Sequence, residues 1–277
     1  MNLHPIIYKY TIRIFLVTGG IILPTFEDKI LDFIRNRSHE DGGYTLYEGL
    51  PDSKNTYYAI KSLQLLGEEP ENLEKTLKWV EEVHRRGSFT AQGLFYRCSI
   101  LKEYNKDYEI PEKFIKRLEE TYQRSQLEIT YYIDSVLRMH NIILDDIVDW
   151  IISQQNHDGG FGKYGSDIIN TQYALEILKA HKYKPNKKDI KNYLKDCEDN
   201  GLWSFTPISY PPYIETVYAG FRISEILNLK FKNKDNILKF VLSLQNSDGG
   251  FRRSSYLGIS ELEYTYKALY IIKSSSL

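Results

Sequence analysis

Cysteine is scarce: Cys98 and Cys197 are the only two in 277 residues, too few for a disulfide framework or, alone, for a thiolate zinc site. The six histidines are scattered, with no His-x₃-His spacing, and no Cys-x₂-Cys occurs either. An excess of charge is missing too, since 36 basic residues face 37 acidic ones for a formal net charge of −1. A nucleic-acid binder would carry a basic excess or stripe, so nucleic acid is not an expected partner. The cluster from Lys184 to Lys191 reads as a solvated loop and helix start. Long apolar runs are also absent. The best candidate, Ile12 to Leu23, is broken by Arg13, Thr18 and Gly19-Gly20 and is too short to span a bilayer. It lacks a clear basic n-region and small-residue cleavage site. The segment reads as a buried helix with a turn at Gly19-Gly20, giving an N-terminal apolar helix and turn over residues 1–25; a cleaved or anchoring segment is the alternative. A cytoplasmic protein without stable membrane insertion is the expectation, in a reducing compartment that suits the sparse cysteines.

What is present is repetition. The strings RSHEDGGY ending at Tyr44, QNHDGGFG ending at Gly162 and QNSDGGF ending at Phe251 share one spelling. Each follows an apolar helical stretch (ILDFIRNR, IVDWIISQQ, ILKFVLSLQ), and each precedes another (NTYYAIKSLQLLG, NTQYALEILKAHK, YTYKALYIIKS). Gly160 and Gly250 stand 90 residues apart, or two units of 45. A degenerate copy fills the interval, with DNGLWSF from Asp199 to Phe205 in place of the turn. Upstream, RRGSF at Arg85 to Phe89 is another, and PEKFIKRLEETYQ with LEITYYIDSVLRM makes a shortened one. Six helix pairs result, over about 26–68, 72–105, 111–141, 143–183, 188–229 and 235–274.

The unit has a physical logic. Apolar residues at three- and four-residue spacing, such as Ile30, Phe33 and Ile34 or Ile147, Trp150 and Ile151, give the first helix one buried stripe. It ends at Asp41-Gly42-Gly43, Asp158-Gly159-Gly160 or Asp248-Gly249-Gly250, where the Asp bonds its own backbone and the glycines take positive φ. The second helix, rich in Tyr, Ala and Leu, begins near Thr56, Leu94, Thr130, Thr171, Thr216 or Thr265. The threonine either caps it or lies in its first turn. A lone hairpin cannot bury its apolar face, so the hairpins must stack, with the second helices as the inner ring.

Gln155 to Phe161 and Gln245 to Phe251 carry Q-x-x-D-G-G-F most fully, each followed by a Thr-led helix. This resembles the repeat of protein prenyltransferase β subunits and the related QW-type repeat of squalene and terpene cyclases, over roughly Phe26 to Ser274. The resemblance implies an all-α fold: an α/α toroid of six helical hairpins, an α6/α6 barrel, with the N-terminal helix added and an aromatic-lined cavity for an isoprenoid. The shortened third unit, Pro111 to Asn141, is where the ring would open.

The family's zinc ligands do not carry over. Its Asp-x-Cys pair falls on Asn200-Gly201-Leu202 before Trp203-Ser204-Phe205, and its His falls on Tyr264. No metal site and no cofactor are expected; magnesium stays open. The cyclase D-x-D-D-T motif has its nearest counterpart in Glu261-Leu262-Glu263-Tyr264-Thr265, making Glu263, with Glu261, the candidate catalytic acid. The helix dipole offers a second reason for acids there. Of the 23 tyrosines, Tyr58, Tyr96, Tyr132, Tyr173, Tyr218 and Tyr264 are candidate cavity residues, and Arg97, ahead of Arg138 and Arg222, is the candidate diphosphate ligand. Three functions follow. One is an isoprenoid-handling protein, as a prenyltransferase or cyclase without the usual zinc. Another is a noncatalytic toroid binding a lipid or protein, with a partner subunit open. The last is a glycan-processing enzyme using a carboxylate pair from Glu128, Glu215, Glu261 and Glu263.

Overall fold

The computed structural model describes residues 25–86, 89–231, 233–256 and 258–275, with the backbone of two short strands before them, β1 (Val17–Thr18) and β2 (Ile21–Ile22). These strands pair antiparallel, Val17 opposite Ile22 and Thr18 opposite Ile21. Part of the expected N-terminal helix is therefore a β-ribbon, and the remainder of residues 1–24 lies outside the described residues. The correction has a local cause: β-branched residues flank two glycines, and neither type favours a helix.

Twelve α-helices follow among the described residues, in six consecutive pairs. The first three pairs are α1 (Phe26–Arg35) with α2 (Ser53–Leu66), α3 (Leu73–Arg86) with α4 (Ala91–Glu103), and α5 (Glu112–Thr121) with α6 (Leu127–Met139). The other three are α7 (Ile147–Ser153) with α8 (Ile168–Ala180), α9 (Lys187–Asp196) with α10 (Ile214–Ile226), and α11 (Lys234–Ser243) with α12 (Leu262–Ser275). The even-numbered helices touch one another in sequence order, and α12 returns to pack on α2. The inner ring is closed. It does not open at the third unit, because α6 packs on both α4 and α8. There a 3₁₀ turn at Tyr122–Arg124 replaces the glycine turn, and the Thr130 hydroxyl donates to the Tyr122 carbonyl at 2.9 Å. Among the described residues, no helix is long and apolar enough to cross a membrane.

The outer helices are amphipathic, as α1 shows by burying Ile30, Leu31, Phe33 and Ile34 while its charged residues face out. The inner helices are buried on most sides; α10 hides Ile214, Val217, Ala219, Phe221 and Ile223 together with Thr216 and Ser224. Each fully buried apolar side chain contributes about 1.5–3 kcal/mol, and only the stacked ring buries both sides of a hairpin.

The inner-helix threonines lie in the first turn. Caps come from the preceding acids: Asp52 accepts from the Asn55 N–H and Asp167 from the Asn170 N–H. Thr56, Thr171 and Thr265 instead accept from the backbone N–H of the turn aromatics Tyr44, Phe161 and Phe251 at 3.0–3.1 Å. The same hydroxyls donate back to the carbonyls of Asp52, Asp167 and Glu261. Fully buried, they fasten each turn to its inner helix.

The turns also join neighbouring units. Asp248 accepts from the Gly250 N–H at 3.0 Å and from the Ser260 hydroxyl at 2.7 Å, and Asp158 holds Gly160 and Ser166 in the same way. Gly249, at φ +90°, lies against the Lys29 carbonyl of α1, so the last turn closes the outer layer onto the first helix. Gly249→Ala is expected to cost about 2–4 kcal/mol, from positive-φ strain and overlap with that carbonyl. Gly67→Ala, at φ +75° with open space beyond, isolates the strain at about 1 kcal/mol. Urea midpoints of the two variants check this; equal losses would mean that the α1 contact contributes nothing.

Candidate functional site

Helical periodicity places the site. Successive side chains turn by about 100°, so once the threonine faces its turn, the residues two before, one and two after, and five after it point toward the ring axis. Two residues after each threonine position stand Tyr58, Tyr96, Tyr132, Tyr173 and Tyr218, and in the last helix Lys267. One residue after stand Tyr57, Phe95, Tyr131 and Tyr266, among others.

These rings form a belt. Tyr218 meets Tyr266 at 6.4 Å between centroids, Tyr266 meets Tyr58 at 5.5 Å, and Tyr58 meets Tyr96 at 5.8 Å. Tyr96 then meets Tyr132 at 5.9 Å, and Tyr132 meets Tyr173 at 6.2 Å. The chain of rings thus crosses five of the six intervals between inner helices. Among the described residues, no ring of α8 meets a ring of α10. That interval is bridged by an ion pair instead, Arg222 Nη2 to Glu176 Oε1 at 2.6 Å.

Inside the belt is a cavity of about 400 Å³. Its walls are the faces of Tyr57, Tyr58, Phe95, Tyr131, Tyr173, Tyr218, Tyr266 and Tyr270, interrupted by Glu128, Glu176, Glu215, Glu263, Arg222 and Lys267. The volume lies at the lower end of the range for small-molecule pockets.

Two polar groups dominate. Glu263 binds Lys54 at 2.5 Å and Lys267 at 2.6 Å. Burial alone would raise its pKa, but the two ammonium groups more than offset that and hold it at about 2. Deeper in the ring, Arg222 binds Glu176, the Glu225 carboxylate at 2.7 Å and the Tyr270 hydroxyl. Burial opposes its charge, yet Glu176 and the neighbouring tyrosines raise its pKa above the usual value. A third group is a hydroxyl relay. Tyr132 donates to Glu128 Oε1 at 3.0 Å, Tyr173 donates to the same oxygen at 3.4 Å, and the Tyr96 hydroxyl lies 3.4 Å from that of Tyr132. Burial raises the pKa of every tyrosine in the belt, so the phenols stay neutral.

Of the candidate residues named from sequence, Tyr58, Tyr173, Tyr218 and Glu263 line the cavity. Tyr96 and Tyr132 belong to the belt behind it, 2% and 3% exposed. Glu261, Tyr264 and Arg97 stand outside the lining. Glu261 is half-buried at the entry to α12, where burial and Glu263 raise its pKa against the pull of Lys54. Tyr264 is pushed up to about 12 by burial and by Glu215. Arg97 is buried beside α2, with Nη1 3.4 Å from the Ser53 hydroxyl. Arg138 is engaged by Asp134 at 2.8 Å, and His181 holds the other oxygen of that carboxylate at 2.7 Å. Sequence reading passed over Glu176, Gln172, Lys54 and Lys267. The register counted from the threonines would have found Lys267 and Glu176.

The positions that correspond to zinc ligands are occupied by other chemistry. Asn200 and Gly201, at φ +51° and +87°, form the turn of a small hairpin between β3 (Glu198–Asp199) and β4 (Leu202–Trp203). Neither is a Cys, His or Asp, and no group of three or more His, Cys, Asp or Glu among the described residues is placed to hold a metal ion. Burial pushes the thiols of Cys98 and Cys197 up to about 12 and 11, leaving them protonated.

Comparison with known proteins bears on the whole ring. Residues 21–167 and 168–276 match the model of the prenyltransferase alpha-alpha toroid domain. No curated protein matches the sequence. Among solved structures, a protein from Actinoplanes is similar with a TM-score of 0.57 at 12% identity, over 90% of this chain and 98% of that one. A variant of the type II terpene cyclase MstE from Scytonema, in complex with its substrate geranylgeranyl dihydroxybenzoate, is similar at 0.58 and 11% identity, over 90% of this chain and 96% of that one. The same cyclase without ligand gives 0.56 at 12% identity over the same shares. At such identities the likeness is one of fold.

Proposed function

The chain belongs to the prenyltransferase alpha-alpha toroid domain family, and on that premise we propose that it is an isoprenoid-binding toroid that works by neither zinc-thiolate nor alkene-protonation chemistry. The belt carries the reading. Contacting aromatic faces from all six inner helices surround one cavity, and flat π surfaces pack well against the alkenes and methyl groups of an isoprenoid. The Scytonema cyclase, whose structure holds a geranylgeranyl compound, adds support from the same fold.

The wall does not assemble the groups that either family chemistry uses. Prenyl transfer to a cysteine acceptor uses that acceptor's metal-activated thiolate and a cradle for diphosphate, whereas both basic side chains in the cavity are already paired with glutamates. Alkene protonation needs a carboxylic acid made more acidic while still protonated. Glu263 is ionised, and the proton on Glu261 is held more tightly than in an ordinary glutamate. Glu263 therefore acts as the anchor for Lys54 and Lys267.

Thermal unfolding with geraniol, farnesol and geranylgeraniol tests this, with product analysis of the same mixtures. Ligand at one hundred times its Kd stabilises by about 2.7 kcal/mol, which for this chain length raises Tm by roughly 4–5 °C. The expected result is such a rise with at least one alcohol and no conversion of any. No shift with all three would sink the isoprenoid reading, and turnover would sink the noncatalytic one.

A further inference from the structure

The cavity wall is unbalanced in charge. Four carboxylates line it, Glu128, Glu176, Glu215 and Glu263, against two cations, Arg222 and Lys267. The cations are already committed. Arg222 lies between Glu176 and Glu225, and Lys267 on Glu263, which a second lysine from outside the wall also binds.

Two carboxylates are left in a different state. Glu215 meets Arg253 through Oε1 at 2.8 Å, while its Oε2 is buried without a hydrogen-bond partner. Glu128 has no basic side chain within ion-pair distance among the described residues, and its Oε1 accepts from the Tyr132 and Tyr173 hydroxyls. The helix dipole accounts for acids in the first turns of α6, α10 and α12. It does not account for a buried carboxylate oxygen left without a donor, which costs free energy. The same cavity is lined by the aromatic side chains Tyr57, Phe95, Tyr131, Tyr173 and Tyr218. Carboxylate and aromatic face together attract one kind of ligand, a desolvated organic cation. They repel a diphosphate.

We propose that the cavity takes an organic cation of the ammonium class, with Glu128 and Glu215 as its counter-ions and the tyrosine faces as its cage. The proposal rests on the isoprenoid reading only for the apolar part of the ligand; the charged part is argued from the wall alone.

Four probes separate the two claims: geraniol, geranyl diphosphate, geranyltrimethylammonium and tetramethylammonium, each titrated calorimetrically into the full chain at fixed salt. Geranyltrimethylammonium is expected to bind about tenfold more tightly than geraniol, and geranyl diphosphate more weakly than either. Glu128→Gln should lower the ratio of the affinity for geranyltrimethylammonium to that for geraniol toward one. If geraniol binds as well as its ammonium analogue, or the diphosphate binds best, the cation proposal is overturned while the isoprenoid reading stands. If tetramethylammonium binds and geraniol does not, the cation proposal is supported and the isoprenoid reading fails. Failure of all four to bind overturns both. The probe series on the unmodified protein decides the matter even where Glu128→Gln does not fold. In folded variants, a cation preference that survives both Glu128→Gln and Glu215→Gln also overturns it.

Discussion

Arg222→Met is expected to lower the stability of the folded chain by about 3–5 kcal/mol, read as a shift in the urea midpoint at unchanged m value. The guanidinium touches Glu176 through Nε at 3.0 Å and Nη2 at 2.6 Å, and reaches Glu225 and Tyr270 through Nη1. It also lies over the Tyr270 ring, 5.1 Å from its centroid. Arg222 and Glu176 are each only 16% exposed, so neither can turn to water when the other is removed. Methionine fills much of the volume but leaves the Glu176 and Glu225 carboxylates without the guanidinium they share. The penalty is the cost of those stranded charges rather than the net worth of the pair.

Two further variants separate that cost from packing. Arg222→Lys keeps the charge but loses the planar fork, and a loss of about 1–2 kcal/mol is expected. Adding Glu176→Gln to Arg222→Met should recover part of the loss, because one stranded charge has gone; a double-mutant cycle then gives the coupling. A loss below about 1 kcal/mol for Arg222→Met would place this contact among ordinary surface pairs and remove its role as the bridge between α8 and α10.

That bridge marks the boundary of what sequence makes legible. The hairpins are readable because the turn chemistry is strict: Gly249 has no room for a side chain, and Asp248 must bond forward to Gly250. The belt is readable because Tyr58, Tyr96, Tyr132, Tyr173 and Tyr218 recur in one register. Arg97 stands three residues after its register position, about 300° round the helix, and so faces back between helices rather than toward the axis. Glu176 and Arg222 are each near the axis by the same count. Their pairing nevertheless joins residues 46 apart and depends on how two units sit side by side, which no local pattern records. The N-terminal ribbon was missed for a different reason: in so short a segment the apolar run outweighed the β-branched residues and glycines that interrupt it.

Lys267 carries the same lesson into the chemistry of the site. It occupies the sixth tyrosine position, and the charge it brings to the axis is matched by Glu263, one turn earlier on the same helix. Glu263→Gln is therefore expected to cost on the order of 3 kcal/mol at pH 7, since the carboxyl held at about 2 would otherwise titrate near 4.5. The sign follows from the depressed value. Stabilisation is fully present above the unfolded pKa near 4.5 and is lost as pH falls through the folded value near 2. Unfolding free energies of the two proteins, measured across that interval, should converge as the wild-type carboxyl takes up its proton. Lys54 and Lys267 then face a neutral acid in one protein and a neutral amide in the other. A difference that stays constant from pH 7 down to pH 2 would mean that Glu263 contributes shape rather than charge, and the two lysines would lose their standing as neutralised groups. In that event the wall would hold free cations, and a diphosphate ligand would again have somewhere to bind.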